Sequence, residues 1–330
     1  MIDTLELLAD AGQFDRSPVP GAWQVLTTAD EVTGEAVSSR RVSNGGNLFA
    51  TVFDDGVMTM HTSAPKFLYG DSLHEVTESD LVPFCDGLDR RLRKIGVRCD
   101  VRQLPVKRVD YARNLRVSHP VADYLGVLSQ FSIARRRTQE HDHSVRFGNL
   151  SKQLICYDKV QEQRDLARKQ RDEAMIRRCA QIRGNVLRVE ARLLRRRVVR
   201  SVSGMAEPRI ADLWSRERSR LHLLAEFDDV LNTGAVVPMA SDLTGIVETF
   251  KRAREVFARG ALYRLASVHG SGDIVRTCGG WDSFRDCLRQ AGYNERSIQR
   301  IVARFRREFV GSLTQGSQEL LSEVRGLLAA

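Results

Sequence analysis

The chain has 330 residues, enough to bury a sizeable core and to form two domains, or one large domain with an appendage. Its 51 Lys and Arg residues outnumber 42 Asp and Glu residues, giving a net charge of +9 and an isoelectric point near 9.5. This balance predicts an anionic partner, with nucleic acid first and an anionic membrane surface or acidic protein as alternatives. A hydrophobic content of 42% excludes a largely disordered chain.

The sequence lacks the features of a membrane or secreted protein. No segment approaches the roughly 20 continuous apolar residues that span a bilayer, and the amino terminus carries acids where a signal peptide needs bases. We therefore expect a cytoplasmic protein without a membrane partner. The six cysteines are scattered, with no Cys-x-x-Cys pair, which predicts reduced, mostly buried thiols and neither a zinc site nor a disulfide framework.

The first 130 residues show mainly the pattern of strands, joined by two helices. The predicted elements are a first strand near Ile2, strands over 36–42 and 48–52, a hairpin turn at 54–56, a loop over 62–70, a helix over 78–95, a long strand or bent pair over 97–117, and a short helix over 120–130.

Strands continue to about residue 193, and the strand pattern then fades. The next predicted elements are two or three strands over 132–158, a strongly polar helix over 161–181, a strand over 185–193, and helices over 210–231, 243–265, 281–290, 296–309 and 318–328. This order predicts an α+β fold, with an antiparallel-sheet catalytic domain at residues 1–200 and an all-helical domain at 201–330.

The helical region contains a candidate DNA-binding unit over residues 281–309. Arginines recur there at helical spacing, at Arg296, Arg300, Arg304 and Arg307. The unit is therefore either a helix-turn-helix that reads DNA or a helical hairpin that packs on the core. In both cases the packing side consists of Leu288, Ile298, Ile301 and Phe305.

Three predicted strands carry spaced polar residues among apolar ones. Because side chains alternate along a strand, the polar residues of each strand share one face. They are Arg108 and Asp110 in the first strand, Tyr157 and Lys159 in the second, with Glu162 just beyond it, and Arg188, Glu190 and Arg192 in the third. We interpret the three strands as meeting around one acidic site rimmed by arginine, with Tyr157 as its nucleophile.

Tyrosine is a poor nucleophile at its ordinary pKa of about 10, but cations that polarise a phosphate make it useful in phosphoryl transfer. Lys159 is the cation predicted on the same face. On its own, a Tyr-x-Lys in a strand more often pairs a half-buried aromatic ring with a surface charge.

Three carboxylates, Asp110, Glu162 and Glu190, have the hard oxygen atoms that Mg²⁺ or Mn²⁺ prefers. The alternative, which spacing alone favours, is that Asp110 and Glu190 form ion pairs with Arg108, Arg188 and Arg192. A second candidate metal site is the pair His141 and His143, which would share a face on a strand but could equally lie in an exposed loop.

A basic run follows Tyr157. Between residues 163 and 200 there are 13 Lys or Arg and 4 Asp or Glu residues, too uneven for pairing within the segment. We expect arginines in and near this run to contact DNA phosphates, and the candidates are Arg108, Arg188, Arg192, Arg195 and Arg196.

Five short motifs, in order along the chain, resemble the gene II/X family of filamentous-phage replication proteins. They are Met1-Ile-Asp-Thr-Leu, Ser63-Ala-Pro-Lys-Phe-Leu-Tyr-Gly70, Arg108-Val-Asp110, Leu154-Ile-Cys-Tyr-Asp-Lys-Val-Gln-Glu162 and Leu187-Arg-Val-Glu-Ala-Arg-Leu193. The segment from Phe284 to Phe305 is also similar to that family. Each motif is weak singly, but the ordered set is specific.

The resemblance implies that Tyr157 nicks a plus-strand replication origin with Mg²⁺. The products would be a 3′-hydroxyl for host polymerase and a 5′-phosphotyrosyl end that is later rejoined. It also implies as partners the origin DNA, single-stranded or supercoiled, and the host helicase in the host cytoplasm. Residues 71–74 depart from the polar residues of the family. For a second tyrosine in strand transfer, Tyr69 and Tyr111 are weak candidates.

Two other functions remain open from the sequence. One is a non-catalytic DNA-binding or regulatory protein that keeps the basic surface without using the tyrosine. The other is a mobilisation relaxase of an integrative element, which would share the chemistry but act in a different biological context.

Overall fold

In the computed structural model of the protein, the described residues are 1–17, 19, 22–29, 36–43, 47–129, 131–133, 136–141, 143–233, 235–236, 274–275, 278, 281–290, 292–310 and 315–330. The chain forms two compact units, each built from three separate stretches. The first unit comprises 1–114, 150–154 and 188–224, and the second comprises 115–149, 155–187 and 225–330. The predicted domain division at residue 200 remains a prediction.

The described strands are β1 (Ile2–Ala9), β2 (Asp15–Arg16), β3 (Gln24–Ala29), β4 (Ala36–Ser43), β5 (Leu48–Phe53), β6 (Met58–Ser63), β7 (Val97–Arg98), β8 (Val106–Val117), β9 (Phe131–Ser132), β10 (Arg137–His141), β11 (Ser144–Gly148), β12 (Lys152–Asp158), β13 (Asn185–Leu193) and β14 (Ala235–Val236).

The described helices are α1 (Ala64–Tyr69), α2 (Leu81–Lys94), α3 (Val121–Leu128), α4 (Lys159–Gln170), α5 (Glu173–Gln181), α6 (Arg196–Ser203), α7 (Ile210–Leu213), α8 (Arg216–Thr233), α9 (Trp281–Gln290), α10 (Glu295–Val310) and α11 (Gln315–Ala329). The large antiparallel sheet and the helical C-terminal region confirm the predicted α+β class. The helix predicted over 243–265 lies outside the described residues.

The sheet of the first unit has the strand order β3-β4-β5-β6-β1-β8-β13. Strand β1 lies between β6 and β8 and pairs antiparallel with both. Its side chains at Leu5, Leu7 and Ala9 alternate into the core, and each is at most 1% exposed. The register places Thr4 opposite Asp110 and Glu6 opposite Arg108, which fixes the polar residues of β8 beside the first strand.

Several predicted elements of the first unit are confirmed, but β3 was not predicted, and the single helix predicted over 210–231 is observed as α7 and α8. The hairpin turn lies where expected, with Gly56 at a φ of 82° between β5 and β6. The predicted loop over 62–70 instead contains helix α1. Pro65 sits in the first turn, where its missing N–H has no cost, and Gly70 ends the helix at a φ of 81°.

The second unit contains the strand order β10-β11-β12 and a helical hairpin formed by α4 and α5. The single polar helix predicted over 161–181 is wrong, because the chain turns at Arg171 and Asp172. Arg171 ends α4 in the left-handed conformation, and the Asp172 carboxylate accepts a hydrogen bond from the Met175 N–H at the start of α5.

The predicted packing side of the C-terminal helices is confirmed. Leu288 on α9 and Ile298, Ile301 and Phe305 on α10 are at most 4% exposed. Phe305 stacks on Phe284 with ring centroids 5.2 Å apart. The side chains of Arg296, Arg300 and Arg304 are exposed, and that of Arg307 lies outside the described side chains. This geometry fits both the helix-turn-helix and the packing-hairpin interpretation.

Candidate functional site

In the first unit, strands β8 and β13 bring together a buried cluster of carboxylates and arginines. The Arg108 guanidinium donates two hydrogen bonds to Asp110, with Nε–Oδ1 at 2.9 Å and Nη2–Oδ2 at 2.6 Å. Asp110 is 1% exposed, whereas the Arg108 side chain is 23% exposed. The predicted shared face of these two residues is therefore confirmed, and the carboxylate is the inner member of the pair.

Strand β13 supplies the other half of this cluster. Arg192 donates from Nε to Glu190 Oε1 at 2.6 Å, and the same nitrogen lies 3.7 Å from Asp110 Oδ2. Burial, the largest effect, and the nearby Glu190 charge raise the pKa of Asp110 to about 6, although Arg108 and Arg192 oppose the shift. The arginine-rimmed acidic cluster predicted from these two strands thus exists in the first unit.

Arg188 is the most enclosed cation of this cluster. Its side chain is 2% exposed, and Nη2 lies 2.5 Å from Asp3 Oδ1. Nη1 donates to the Asn114 side-chain oxygen at 3.1 Å and to the Ser72 carbonyl at 3.3 Å. The guanidinium therefore ties β13 to β1, β8 and the loop after α1, and a phosphate contact by Arg188 requires rearrangement.

Sequence reasoning did not identify Asp3 and Asn114 as members of this cluster. Asp3 belongs to the opening motif of the family resemblance, and Asn114 lies four residues beyond Asp110 on the same strand, so it shares that face. That spacing was the available signal for Asn114. No local pattern marks Asp3, because its partner Arg188 comes from a distant strand.

The carboxylates of the cluster fit a metal ion only in part. Asp110 and Glu190 offer hard oxygen atoms, but Arg108 and Arg192 already hydrogen-bond to them. Within the described part of the chain, no three His, Cys, Asp or Glu side chains form a group that could hold a metal ion. Metal binding by Asp110 and Glu190 therefore requires these arginines to move or substrate oxygens to complete the ligand set.

The Tyr157 segment belongs to the second unit, at the junction of β12 and α4. Tyr157 is half-buried near the end of the strand, and the Asp158 carboxylate accepts from the Gln161 N–H to begin the helix. The Lys159 side chain is 2% exposed, with Nζ 2.9 Å from Glu162 Oε2 and 5.5 Å from the Tyr157 ring centroid. The same Glu162 oxygen accepts from Gln163 at 2.6 Å.

This junction changes the predicted position of Lys159. The strand ends at Asp158, so Lys159 begins α4 and does not continue the strand face of Tyr157. Its ammonium nevertheless lies over the tyrosine ring, a cation–π geometry. The alternative of a surface lysine beside the ring is wrong, because Lys159 is buried.

The two histidines match neither alternative in full, because His141 belongs to strand β10 and His143 lies in the turn before β11. His141 is the last residue of β10 and His143 precedes β11, and both side chains are exposed. The backbone N–H of Asp158 donates to the His143 carbonyl at 3.1 Å, so this turn is fixed to the end of β12.

The two candidate second tyrosines have environments that disfavour the phenolate. Tyr111 is 1% exposed, and burial raises its pKa well above the ordinary range. Partial burial and a hydrogen bond with Asp80 raise the pKa of Tyr69 to about 12.

Arg195 and Arg196 lie at the start of α6 in the first unit. The Arg195 side chain is exposed and donates from Nε to the Leu150 carbonyl at 3.0 Å. Arg196 pairs with Glu207 at 2.6 Å, and its side chain is 28% exposed. Of the five arginines predicted to contact DNA, Arg195 is thus the most exposed and Arg188 the least.

Residues 32–215, more than half of the chain, match a family described as the N-terminal part of the gene II replication-associated protein of phages. The matched range contains Asp110, Tyr157 and Glu190, together with four of the five motifs that resemble the gene II family. The chain belongs to this filamentous-phage replication initiator family. No curated protein and no solved structure matches the chain.

Family membership makes this chain a phage replication-associated protein, and a replication initiator has DNA as its partner. In the described residues, no helix is both long and apolar enough to span a bilayer.

Proposed function

We propose that this member of the gene II family nicks and rejoins the origin strand in rolling-circle replication, with Tyr157 as the nucleophile. One observation carries the proposal, namely the buried Lys159 ammonium beside the Tyr157 ring. Burying a charge is costly unless a partner compensates it, and Glu162 supplies that partner. A buried ammonium near a half-buried tyrosine supports the proposal, because a cation can stabilise the negative charge that develops on a phosphate.

The proposed reaction is a balanced exchange of phosphodiesters. The Tyr157 phenol oxygen attacks the phosphorus atom, its proton leaves, and a new bond joins the phenol oxygen to phosphorus. The bond from phosphorus to the 3′-oxygen breaks, and that oxygen takes up a proton to become the 3′-hydroxyl. Rejoining is the reverse attack by a 3′-hydroxyl on the phosphotyrosine. Lys159 stabilises the negative charge that develops during both steps.

We propose Mg²⁺ or Mn²⁺ as the cofactor and Asp110 and Glu190 as its protein ligands, with Glu162 as a further candidate. Mg²⁺ commonly binds through one or two carboxylates together with substrate phosphates, so two protein carboxylates suffice for the proposed site. When bound, the ion would neutralise charge on the phosphate. Without the ion, Arg108 and Arg192 hold the Asp110 and Glu190 carboxylates in place.

The exposed arginines are the proposed phosphate contacts. Arg108 and Arg192 are partly exposed at the edge of the acidic cluster, and Arg195 and Arg196 begin α6 in the same unit. Arg188 is instead proposed to position β1, β8 and β13 through its buried contacts. The host helicase and polymerase, and the host cytoplasm as the location, belong to the same proposal.

The test compares the wild type with Tyr157→Phe and Lys159→Met on supercoiled DNA carrying the cognate origin, with Mg²⁺ and with EDTA. We expect relaxed product and a covalent protein–DNA adduct from the wild type with Mg²⁺ alone. Loss of the nucleophile should lower the nicking rate by at least about 10³-fold, and loss of the lysine by about 10²-fold.

Thermal melting of each variant provides the control for folding, and Glu162→Gln, which keeps an oxygen acceptor for Lys159, should reduce nicking less than Lys159→Met. Equal nicking by Tyr157→Phe and wild type would show that another residue is the nucleophile. DNA binding without cleavage of any origin would instead support a non-catalytic regulatory protein. Cleavage of a transfer origin would support a mobilisation relaxase.

A further inference from the structure

The α4–α5 hairpin (residues 159–181) forms a defined substructure of the second unit. Val160 on α4 packs with Cys179 on α5 and with Val186, and Met175 and Ile182 add to this small core. Arg164 on α4 donates to the Cys179 carbonyl at 3.4 Å. The beginning of α4 thus lies against the end of α5, and the turn between them forms the opposite end of the hairpin.

This turn carries three exposed cations, Arg168, Lys169 and Arg171, which we call the hairpin tip. Arg168 lies 3.6 Å from Asp165, and both side chains are more than 40% exposed, so the pair is weak. Neither the Lys169 nor the Arg171 side chain has a carboxylate partner among the residues that the structure describes. The neighbouring Asp172 carboxylate is engaged at the start of α5.

Arg171 occupies a backbone conformation that arginine rarely adopts. Its φ is 56° and its ψ is 35°, the left-handed region, at the position after a helix where glycine is the usual residue. A non-glycine residue is disfavoured there because its Cβ comes too close to the following carbonyl oxygen. The backbone at this site thus favours glycine, so the presence of arginine points to a use for its side chain.

The chemistry of the hairpin tip fits an anionic partner better than an apolar one. Between Lys159 and Gln181 the sequence has seven Lys or Arg and four Asp or Glu residues. The large hydrophobic side chains that are exposed in the described residues all lie elsewhere in the chain. The hairpin tip therefore has positive charge but no exposed large hydrophobic side chain. A surface that binds a phosphate backbone has this character.

We propose that the hairpin tip binds DNA backbone phosphates and that Arg171 makes one of these contacts directly. The choice of DNA rests on the proposed function, because a nicking protein must hold the strand that it cuts. The contact carries no base specificity, since phosphate contacts position a protein without reading sequence.

The test measures binding of fluorescently labelled 30-nucleotide single-stranded and duplex DNA by anisotropy in EDTA, over a series of salt concentrations. The variants are Arg171→Gly and Arg171→Asn, which suit the left-handed conformation without the charge, and Arg171→Lys, which keeps the charge. The matched control is Arg90→Ala, which removes an exposed arginine at the end of α2. Thermal melting of each variant reports on its stability.

We expect the plot of log K against log salt to lose about one unit of slope in Arg171→Gly and Arg171→Asn on at least one DNA form. The slope of Arg171→Lys and Arg90→Ala should match the wild type. Arg171→Gly should melt no lower than the wild type, because glycine relieves the backbone.

If the wild type binds DNA and both Arg171→Gly and Arg171→Asn keep the wild-type salt slope, the hairpin contact is wrong. The proposed function is not contradicted by that result. A wild type that does not bind DNA would contradict both. Binding of wild type, but not Arg171→Gly, to phosphatidylserine vesicles without DNA binding would reassign the tip to membranes. A Tyr157→Phe protein that nicks normally while the Arg171 variants lose slope would contradict only the nucleophile assignment.

Discussion

At the scale of single residues, Arg188 and Lys159 show how a buried cation can organise polar groups around it. Arg188 contacts carboxylate, amide and carbonyl oxygens from three other segments, whereas Lys159 contacts one carboxylate and one aromatic ring. The first arrangement holds strands together. The second places a charge where a reaction can use it.

Arg188→Met should destabilise the protein by about 3–5 kcal/mol, because it removes the cation of a buried ion pair and leaves the partner charge less compensated. The Asp3 carboxylate loses this guanidinium, whereas Glu190 keeps Arg192 as a partner. The measurement is the free energy of unfolding in urea. As a control, Arg195→Met changes an exposed arginine and should shift this free energy by no more than about 0.5 kcal/mol. A similar small shift in Arg188→Met would show that the cluster does not support the fold.

The candidate site was predictable to the extent that its residues share a strand. Arg108 with Asp110, and Glu190 with Arg192, followed from the alternation of side chains. The contact of Asp3 with Arg188 was not predictable in this way, because the two residues lie far apart in the sequence and leave no local pattern. The burial of Lys159 was also not predicted. From the sequence alone, this residue fits equally well as the last residue of the strand and as the first residue of the helix.

At the scale of elements, the connections differ most from the sequence prediction. The predicted loop over 62–70 contains α1, because Pro65 suits a first helical turn. The single predicted polar helix is two helices, because Arg171 adopts a conformation usually found for glycine. Strands β1, β5 and β13 were predicted because each has apolar residues that burial selects, whereas β3 was not predicted. Turns depend on single backbone angles, which composition does not reveal.

Gly96, at the turn after α2, is a position where a side chain has no room. Its φ is 80°, and an added Cβ would lie 1.7 Å from the Ser17 carbonyl oxygen. Gly96→Ala should therefore lower the free energy of unfolding by at least about 2 kcal/mol, through the clash and the strained φ together.

Gly204, after α6, provides the matched comparison for this prediction. Its φ is 72°, but an added Cβ meets no atom within 4 Å. Gly204→Ala should lower the free energy of unfolding only through the strained φ, by about 1–2 kcal/mol. Chemical denaturation of both variants gives the difference. Equal losses would show that the chain near Ser17 moves aside without cost.

At the scale of the whole molecule, burial protects the thiols. Desolvation raises the pKa of Cys85 to about 11 and that of Cys156 to about 12. Both side chains are 0% exposed, so the thiolate that reacts is scarce and enclosed. The prediction of buried thiols from scattered cysteines is confirmed at these two positions.

Labelling with iodoacetamide at pH 8, followed by mass spectrometry, should modify Cys85 and Cys156 only when the protein unfolds. The rate should rise steeply with added urea, in parallel with loss of circular dichroism, because global opening is required for access. Labelling within minutes under native conditions would show local opening of α2 or β12. The unfolded chain in guanidinium is the control for full reactivity.

The stretches of the two units alternate along the chain, and this order has a consequence for synthesis of the protein. The first unit needs residues 1–114 and also 188–224, so its sheet stays incomplete until β13 has left the ribosome. At about 5–20 residues per second, that delay after β1 is on the order of ten to forty seconds. During this interval Asp3 lacks Arg188 and β8 has an open edge. The nascent chain must be kept from pairing wrongly until its own late strand arrives.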